Sequence, residues 1–369
     1  MSSRLPTHHS SPGTADRNRP CDCHTVEPAA ADRLKGLIVH ASSSHVQRKL
    51  TLLLTAHDIP LQAEQSALLI SASDFDKLPL VLAAFLTNER PHLLVAPWDG
   101  ERLDPWSLAP FEHWVRRLES PWFHEASEHL LFHFQPIVQL GTGQVYGYEA
   151  LVRAQWDGHF FGAGALLDAA AAHGQARAFD ALARRNAIVQ GYPKLGPDQL
   201  LFINFAPGVI YNPDVCLQTT YDACREVGAD LSRLLFEVTE SEAFPDLGLL
   251  KRILESYRAE GAQVALDDLG AGHTSLMYLT ELKPDIVKLD RALISGLHGS
   301  DPRVALVEAL VHYAHDLGIR VVAEGIETAQ ELQLVMELGT DLAQGYYLGR
   351  PVPQLTGVAP QAAGHWTPQ

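Results

Sequence analysis

Between residues 34 and 97 short apolar runs alternate with stretches whose apolar residues recur at helical spacing. GLIVHA, ALLIS and HLLVAP read as strands, and HVQRKLTLLLTAH and FDKLPLVLAAFLTNE as helices, which predicts a small β-α-β-α-β unit. WSLAPFEHWVRRLES follows, with Trp106, Leu108, Phe111, Trp114, Val115 and Leu118 at helical spacing. It predicts a helix that packs on one face and joins this unit to the next. From about residue 128 to about 351 one pattern repeats, strand then helix: LLFHFQPIVQL, VYGYEALVRA, LLFINFAP, LLFEVTES, QVALDDLG, DIVKLD, RVVAEGIE and LAQGYYLG. Eight strands with helices between them predict an α/β chain whose larger part is a modified (β/α)8 TIM-type barrel, preceded by the small α/β domain. Only Gly141-Thr142-Gly143-Gln144 separates the first two strands. That link allows a hairpin and no parallel crossover, so the first barrel strand should run antiparallel.

The organisation that follows is a polar tail over 1–33, the small α/β domain over 34–120, the barrel over 121–359 and a short tail over 360–369. The first tail holds Cys21, Cys23 and His24, with His8 and His9 nearby. A structural zinc site uses wider ligand spacing, so these read as an exposed polar segment. Cys216 and Cys224 read as ordinary thiols. The small domain's first strand runs into Ala41 and Ser42, not into the acid that a phosphoacceptor would need. No ligand is assigned to it, and a regulatory or oligomerisation role rests only on its place beside the barrel. The longest apolar stretch, near Leu78 to Leu86, is far below a membrane span, and the amino terminus has no signal-peptide pattern. Both point to a cytoplasmic chain with no membrane partner. The formal charge of −16 opposes binding of polymeric nucleic acid.

In a barrel all parallel strand ends converge on one rim, and here each ends in a polar residue: Glu149, Asn204, Glu237, Asp267 with Asp268, Lys288, Glu324 and Gln344. Acids this close repel and take up protons unless a cation joins them. The series offers carboxylate and amide oxygens without Cys or His, which favours Mg2+ or Mn2+ over zinc. Adjacent Asp267 and Asp268 suit a pair of ions, the usual apparatus for cutting a phosphodiester. A barrel glycosidase pairing Glu237 or Glu240 with Glu324 would leave Asn204, Asp267, Asp268 and Lys288 unexplained.

Gln135-Pro136-Ile137, Glu149-Ala150-Leu151-Val152-Arg153, Asn204, Glu237-Val238-Thr239-Glu240, Asp267-Asp268, Lys288-Leu289-Asp290, Glu324-Gly325-Ile326-Glu327 and Gln344-Gly345-Tyr346 resemble, in order, the EAL family of bacterial cyclic di-GMP phosphodiesterases. The resemblance implies hydrolysis of cyclic di-GMP to linear pGpG with two divalent ions. Glu149, Asn204, Glu237 and Asp267 would hold one ion, and Asp268 would help to hold the second. Lys288 would orient the attacking water, and Glu324 would assist as acid or base. Gln135, Leu151 and Gln344 would contact the dinucleotide, and Arg153 would meet a phosphate. Glu240 and Glu327 would secure loops. The family likeness also implies a homodimer through the barrel. The loop after the Asp pair carries Leu269 and His273 where Phe and Tyr are common, which keeps a second reading, a receptor that binds without cleaving, in play.

Overall fold

A computed structural model describes residues 25–26, 34–64, 67–100, 108–206, 217–239, 247–270 and 276–366. The chain first builds β1 (Gly36–Ala41), β2 (Gln62–Glu64), β3 (Ala67–Ser71), β4 (Leu93–Trp98) and β5 (Ala109–Pro110), in the order β2-β3-β1-β4-β5. Every neighbouring pair is antiparallel. The helix Ser44–Ala56 carries the chain from β1 to β2, a hairpin returns it as β3, and β3 inserts between the two; this is a split β-α-β arrangement. It corrects the simple β-α-β-α-β expectation, which lacked the three-residue strand β2. The helix expected across residues 75–89 is also shorter: a 3-10 turn over Ala72–Lys77 precedes the helix Leu78–Ala83. Pro79 lacks an amide hydrogen and fits only the first turn, so the α-helix begins beside it.

Leu37 and Val39 of β1 pack with Val46, Leu50 and Leu54 of the first helix, and with Phe111, Trp114 and Val115 of the linker helix Phe111–Glu119. The packing face predicted for that helix is therefore present from Phe111 onward. Leu108 is exposed and precedes β5, and Trp106 lies outside the described residues. So do His8, His9, Cys21, Cys23, His24 and Cys216. Cys224 is buried, and that burial pushes its thiol up to about 11.

The larger sheet contains β6 (Leu130–Gln139), β7 (Val145–Trp156), β8 (His159–Phe161), β9 (Leu200–Phe205), β10 (Leu234–Thr239), β11 (Gln263–Leu269), β12 (Ile286–Leu289), β13 (Arg320–Ala323) and β14 (Leu342–Gln344). Eight of them close a ring in the order β6-β14-β13-β12-β11-β10-β9-β7, sealed by β6 against β7, while β8 only extends β7 as a hairpin. β6 is antiparallel to both of its neighbours, and every other pair in the ring is parallel. The short Gly141–Gln144 link thus sets the strand direction as its length requires.

The inside of the ring is filled by Ile137, Leu200, Phe202, Leu235, Ala265, Ile286, Val322 and Leu342, all buried, which form the floor. Alternate residues on the outer face meet the surrounding helices in a second, larger core. Among the described residues, no helix is long and apolar enough to cross a membrane.

Candidate metal centre at the barrel mouth

Strand periodicity places the site. Two residues beyond an inward-facing floor position the chain faces inward again. Phe202 is followed by Asn204, Leu235 by Glu237, Ala265 by Asp267, Ile286 by Lys288, Val322 by Glu324 and Leu342 by Gln344. β6 runs the other way, so its equivalent of Ile137 is Gln135, which sits opposite Glu149 in the β6–β7 register. The predicted rim series therefore occupies one layer on top of the floor.

Lys288 is the hub of that layer, with a side chain only 1% exposed. Its Nζ lies 2.6 Å from Glu324 Oε1, 2.9 Å from Glu237 Oε1, 3.3 Å from Asp267 Oδ1 and 3.8 Å from Glu149 Oε2. An ammonium has three hydrogens, so it cannot satisfy four carboxylates. Burial lowers the Lys288 pKa, but Asp267, Glu149, Glu237 and Glu324 outweigh it and hold the group well above its ordinary value.

The acids around it differ in their support. Burial raises the Glu149 carboxyl, yet Lys288, Gln344, Asn204 and Arg153 together hold it below its usual value. Gln344 Nε2 donates to Glu149 Oε2 at 2.7 Å, and Asn204 Nδ2 donates to Oε1 at 2.8 Å. Gln344 also reaches Gln135 Oε1 at 3.2 Å, and Gln135 Nε2 donates to the Gly349 carbonyl at 3.1 Å. Glu237 is fully buried, and among the described residues neither of its oxygens accepts an aligned hydrogen bond; its contact with Lys288 is ionic. Burial, with Glu149 and Asp267 adding to it against Lys288, holds Glu237 well above the carboxylate range. Burial pushes Glu324 up to about 8 in spite of Lys288.

Asp268 joins through a backbone irregularity. In a regular strand neighbours face opposite sides, so Asp268 would point away from Asp267. The β11–β12 register shifts between Leu266 and Leu269, and Asp268 adopts φ 60°. This bulge re-aims the residue, and oxygens of Asp267, Asp268 and Glu324 come within 4.8 Å of one another.

The residues present fit divalent cations. Five carboxylates, those of Glu149, Glu237, Asp267, Asp268 and Glu324, face one ammonium in this layer, an excess of four negative charges when all are ionised. Glu237, whose oxygens have Lys288 as an ionic neighbour and no aligned hydrogen bond among the described residues, and an all-oxygen donor set match hard ions such as Mg2+, Mn2+ or Ca2+.

The remaining predicted residues that the structure describes are Leu151, Arg153 and Glu327. Leu151 and Arg153 continue β7 on the Glu149 side, and Arg153 Nη1 donates to the Val152 carbonyl at 2.8 Å. Glu327 pairs with Arg291 at 2.8 Å. Glu240 and His273 lie outside the described residues. Two features escaped the sequence reading. Buried Glu331 accepts from Gly296 N at 2.7 Å and from Glu327 N at 2.7 Å, and it closes a capping box with Thr328, so it ties down the loop after Glu324. The T-x-x-E spacing from Thr328 was the available signal. The Arg350 guanidinium also stacks on exposed Tyr346, 4.3 Å from the ring centre, in the turn after Gln344. That turn needs Gly345, because a Cβ there would collide with the Ile326 backbone.

The EAL domain family profile matches residues 122–351. A protein of Pseudomonas aeruginosa named cyclic di-GMP phosphodiesterase NbdA is 30% identical over 230 residues, covering 61% of this chain and 29% of that protein. A standalone EAL protein of Vibrio cholerae, solved with cyclic di-GMP bound, is 32% identical with a TM-score of 0.56, covering 63% of this chain and 97% of that one. BlrP1 of Klebsiella pneumoniae, solved as a calcium and cyclic di-GMP complex, is 31% identical with a TM-score of 0.57, covering 62% and 57%. The chain spans about a third of the length of the curated relatives it matches.

Proposed function

The chain belongs to the EAL domain family, and from that premise we propose that its barrel hydrolyses cyclic di-GMP to linear pGpG in a divalent-cation-dependent reaction. The observation that carries this is the ring of acids from four strands around Lys288, built on oxygen donors alone. The bound calcium and cyclic di-GMP named for the Klebsiella protein, and the activity named for the Pseudomonas protein, support the same reading.

Glu149, Asn204, Glu237 and Asp267 would hold one Mg2+ or Mn2+, and Asp268 would help to hold a second. Bound ions would neutralise the phosphodiester and make a water molecule easier to deprotonate. The protein's own groups do the rest. Gln344 and Asn204 fix both oxygens of Glu149, so that carboxylate is oriented before any ligand arrives. Lys288 Nζ offers a fixed positive charge that orients the attacking water. Glu324, 2.6 Å from Lys288 Nζ, is the acid placed to hold or accept a proton beside that charge. Gln135, Leu151 and Gln344 would line the dinucleotide, and Arg153 would pair with a phosphate oxygen. Glu240 and Glu327 would secure the neighbouring loops.

A homodimer through the barrel and a regulatory role for residues 34–120 belong to the same proposal, and light scattering on the full chain tests the first. The chemistry is tested by incubating the full chain with cyclic di-GMP in Mg2+, Mn2+ or chelator and separating products chromatographically. Linear pGpG formed with either metal and absent with chelator supports it. Tight binding without cleavage under all three conditions replaces it with the receptor reading.

A further inference from the structure

Where the linker helix Phe111–Glu119 meets the barrel helix Ala163–Ala172 there is a cavity of about 330 Å3. Leu34, Pro97 and Ala109 line it from the small unit, Ala171 and Ala172 from the barrel, and His113, Trp114, Arg117 and His173 complete the wall. No carboxylate is among these lining residues.

We propose that this cavity binds a small monocarboxylate with a compact apolar body, with Arg117 receiving the carboxylate. Arg117 lies against the Trp114 ring, 4.8 Å from its centre, and its buried Nε has no hydrogen-bond partner among the described residues. A half-buried guanidinium with no acid against it is costly, since charge is normally buried only when paired. Burial lowers the Arg117 pKa, and no acid among the described residues works against it. His173 supplies no rival charge. Burial holds it below its ordinary value and Arg117 adds to this, against a hydrogen bond to Ser120. Among the described lining residues Arg117 is the one Lys or Arg, in a wall that is otherwise mostly apolar with an aromatic ring beside it, and the volume suits a ring-sized ligand. Bare inorganic anions would leave the apolar wall wet, and neutral aromatics would leave Arg117 unpaired.

The cavity touches both units. Leu166, Ala169 and Ala170 of the same barrel helix pack with Ala154 and Val152 of β7, the strand that carries Glu149. Binding here is measured without the reaction at the mouth.

The test is calorimetric titration of the full chain with benzoate, benzamide and inorganic phosphate, repeated with Arg117→Gln and Ala172→Leu. The second variant fills the cavity from the barrel side and leaves Arg117 in place; circular dichroism establishes that both fold. Saturable benzoate binding is expected, with benzamide and phosphate at least about tenfold weaker and both variants losing benzoate by a similar factor. Absence of benzoate binding, equal binding of benzamide or phosphate, or unchanged benzoate binding in the two folded variants overturns the assignment.

Discussion

At the floor of the barrel Leu235, Ala265, Ile286 and Val322 fill the interior with apolar contacts, whereas two residues further along the same strands Glu237, Asp267, Lys288 and Glu324 crowd charges together. The floor is content as it stands. The mouth is not: it contains a fully buried carboxyl held well above the carboxylate range, another pushed up to about 8 and one ammonium for several acids. Strand geometry supplies both layers at no extra backbone cost, so the floor acts as the rigid base on which an electrostatically unfavourable arrangement is held open for a ligand. A fold stabilised by its mouth would show the reverse pattern of mutational effects.

The largest contrast is in activity. Glu149→Ala removes the acceptor shared by Gln344 and Asn204, and turnover of cyclic di-GMP should fall by about 10³-fold or more while the variant stays folded. Retained magnesium-dependent hydrolysis would break the distinction between the layers. Phe202→Ala at the floor should behave oppositely, costing about 3–5 kcal/mol in denaturant unfolding with magnesium binding preserved in the folded fraction. Glu237→Gln sharpens the comparison further. It replaces an acid held well above the carboxylate range by its neutral isostere and leaves Lys288 three other carboxylates, so the metal-free protein should keep its stability or gain about 1 kcal/mol. A loss comparable to that of Phe202→Ala would mean that the acid holds the fold.

A further effect is in pH. Glu324 stands at about 8 when folded and near its ordinary 4.5 when unfolded, so the folded state binds the proton more tightly. Its contribution is complete below about 4.5 and is lost as pH rises through about 8, so the metal-free chain should melt at progressively lower temperature across that window. Added Mg2+ should flatten the profile by replacing the proton. Melting curves in chelator and in Mg2+ from about pH 5 to about 9 check both parts.

Much of the mouth was legible because its signal is local. An apolar run closing on Glu, Asp, Lys or Asn reports both the strand and which end is wet, and the hairpin before β7 is too short for any direction except antiparallel. Asp268 was legible as a residue and not as geometry, since nothing in the composition announces a bulge with φ 60°. The small sheet was less legible. Hydrophobic periodicity gives strands without direction, and β2, only three residues long, is too brief to show a period at all. The unpaired state of Arg117 depends on contacts between segments about 55 residues apart in sequence, which no local pattern carries.

We propose the layer above the floor as a prebuilt divalent-cation site, with Glu237 as one of its ligands. Calorimetric titration of Mg2+ into the wild-type chain and Glu237→Gln, in two buffers of different ionisation enthalpy, tests it most directly. Saturable binding with proton release in the wild type, and loss of both in the variant, is the expected result. Equal binding in the two proteins, or no binding in either, would contradict it.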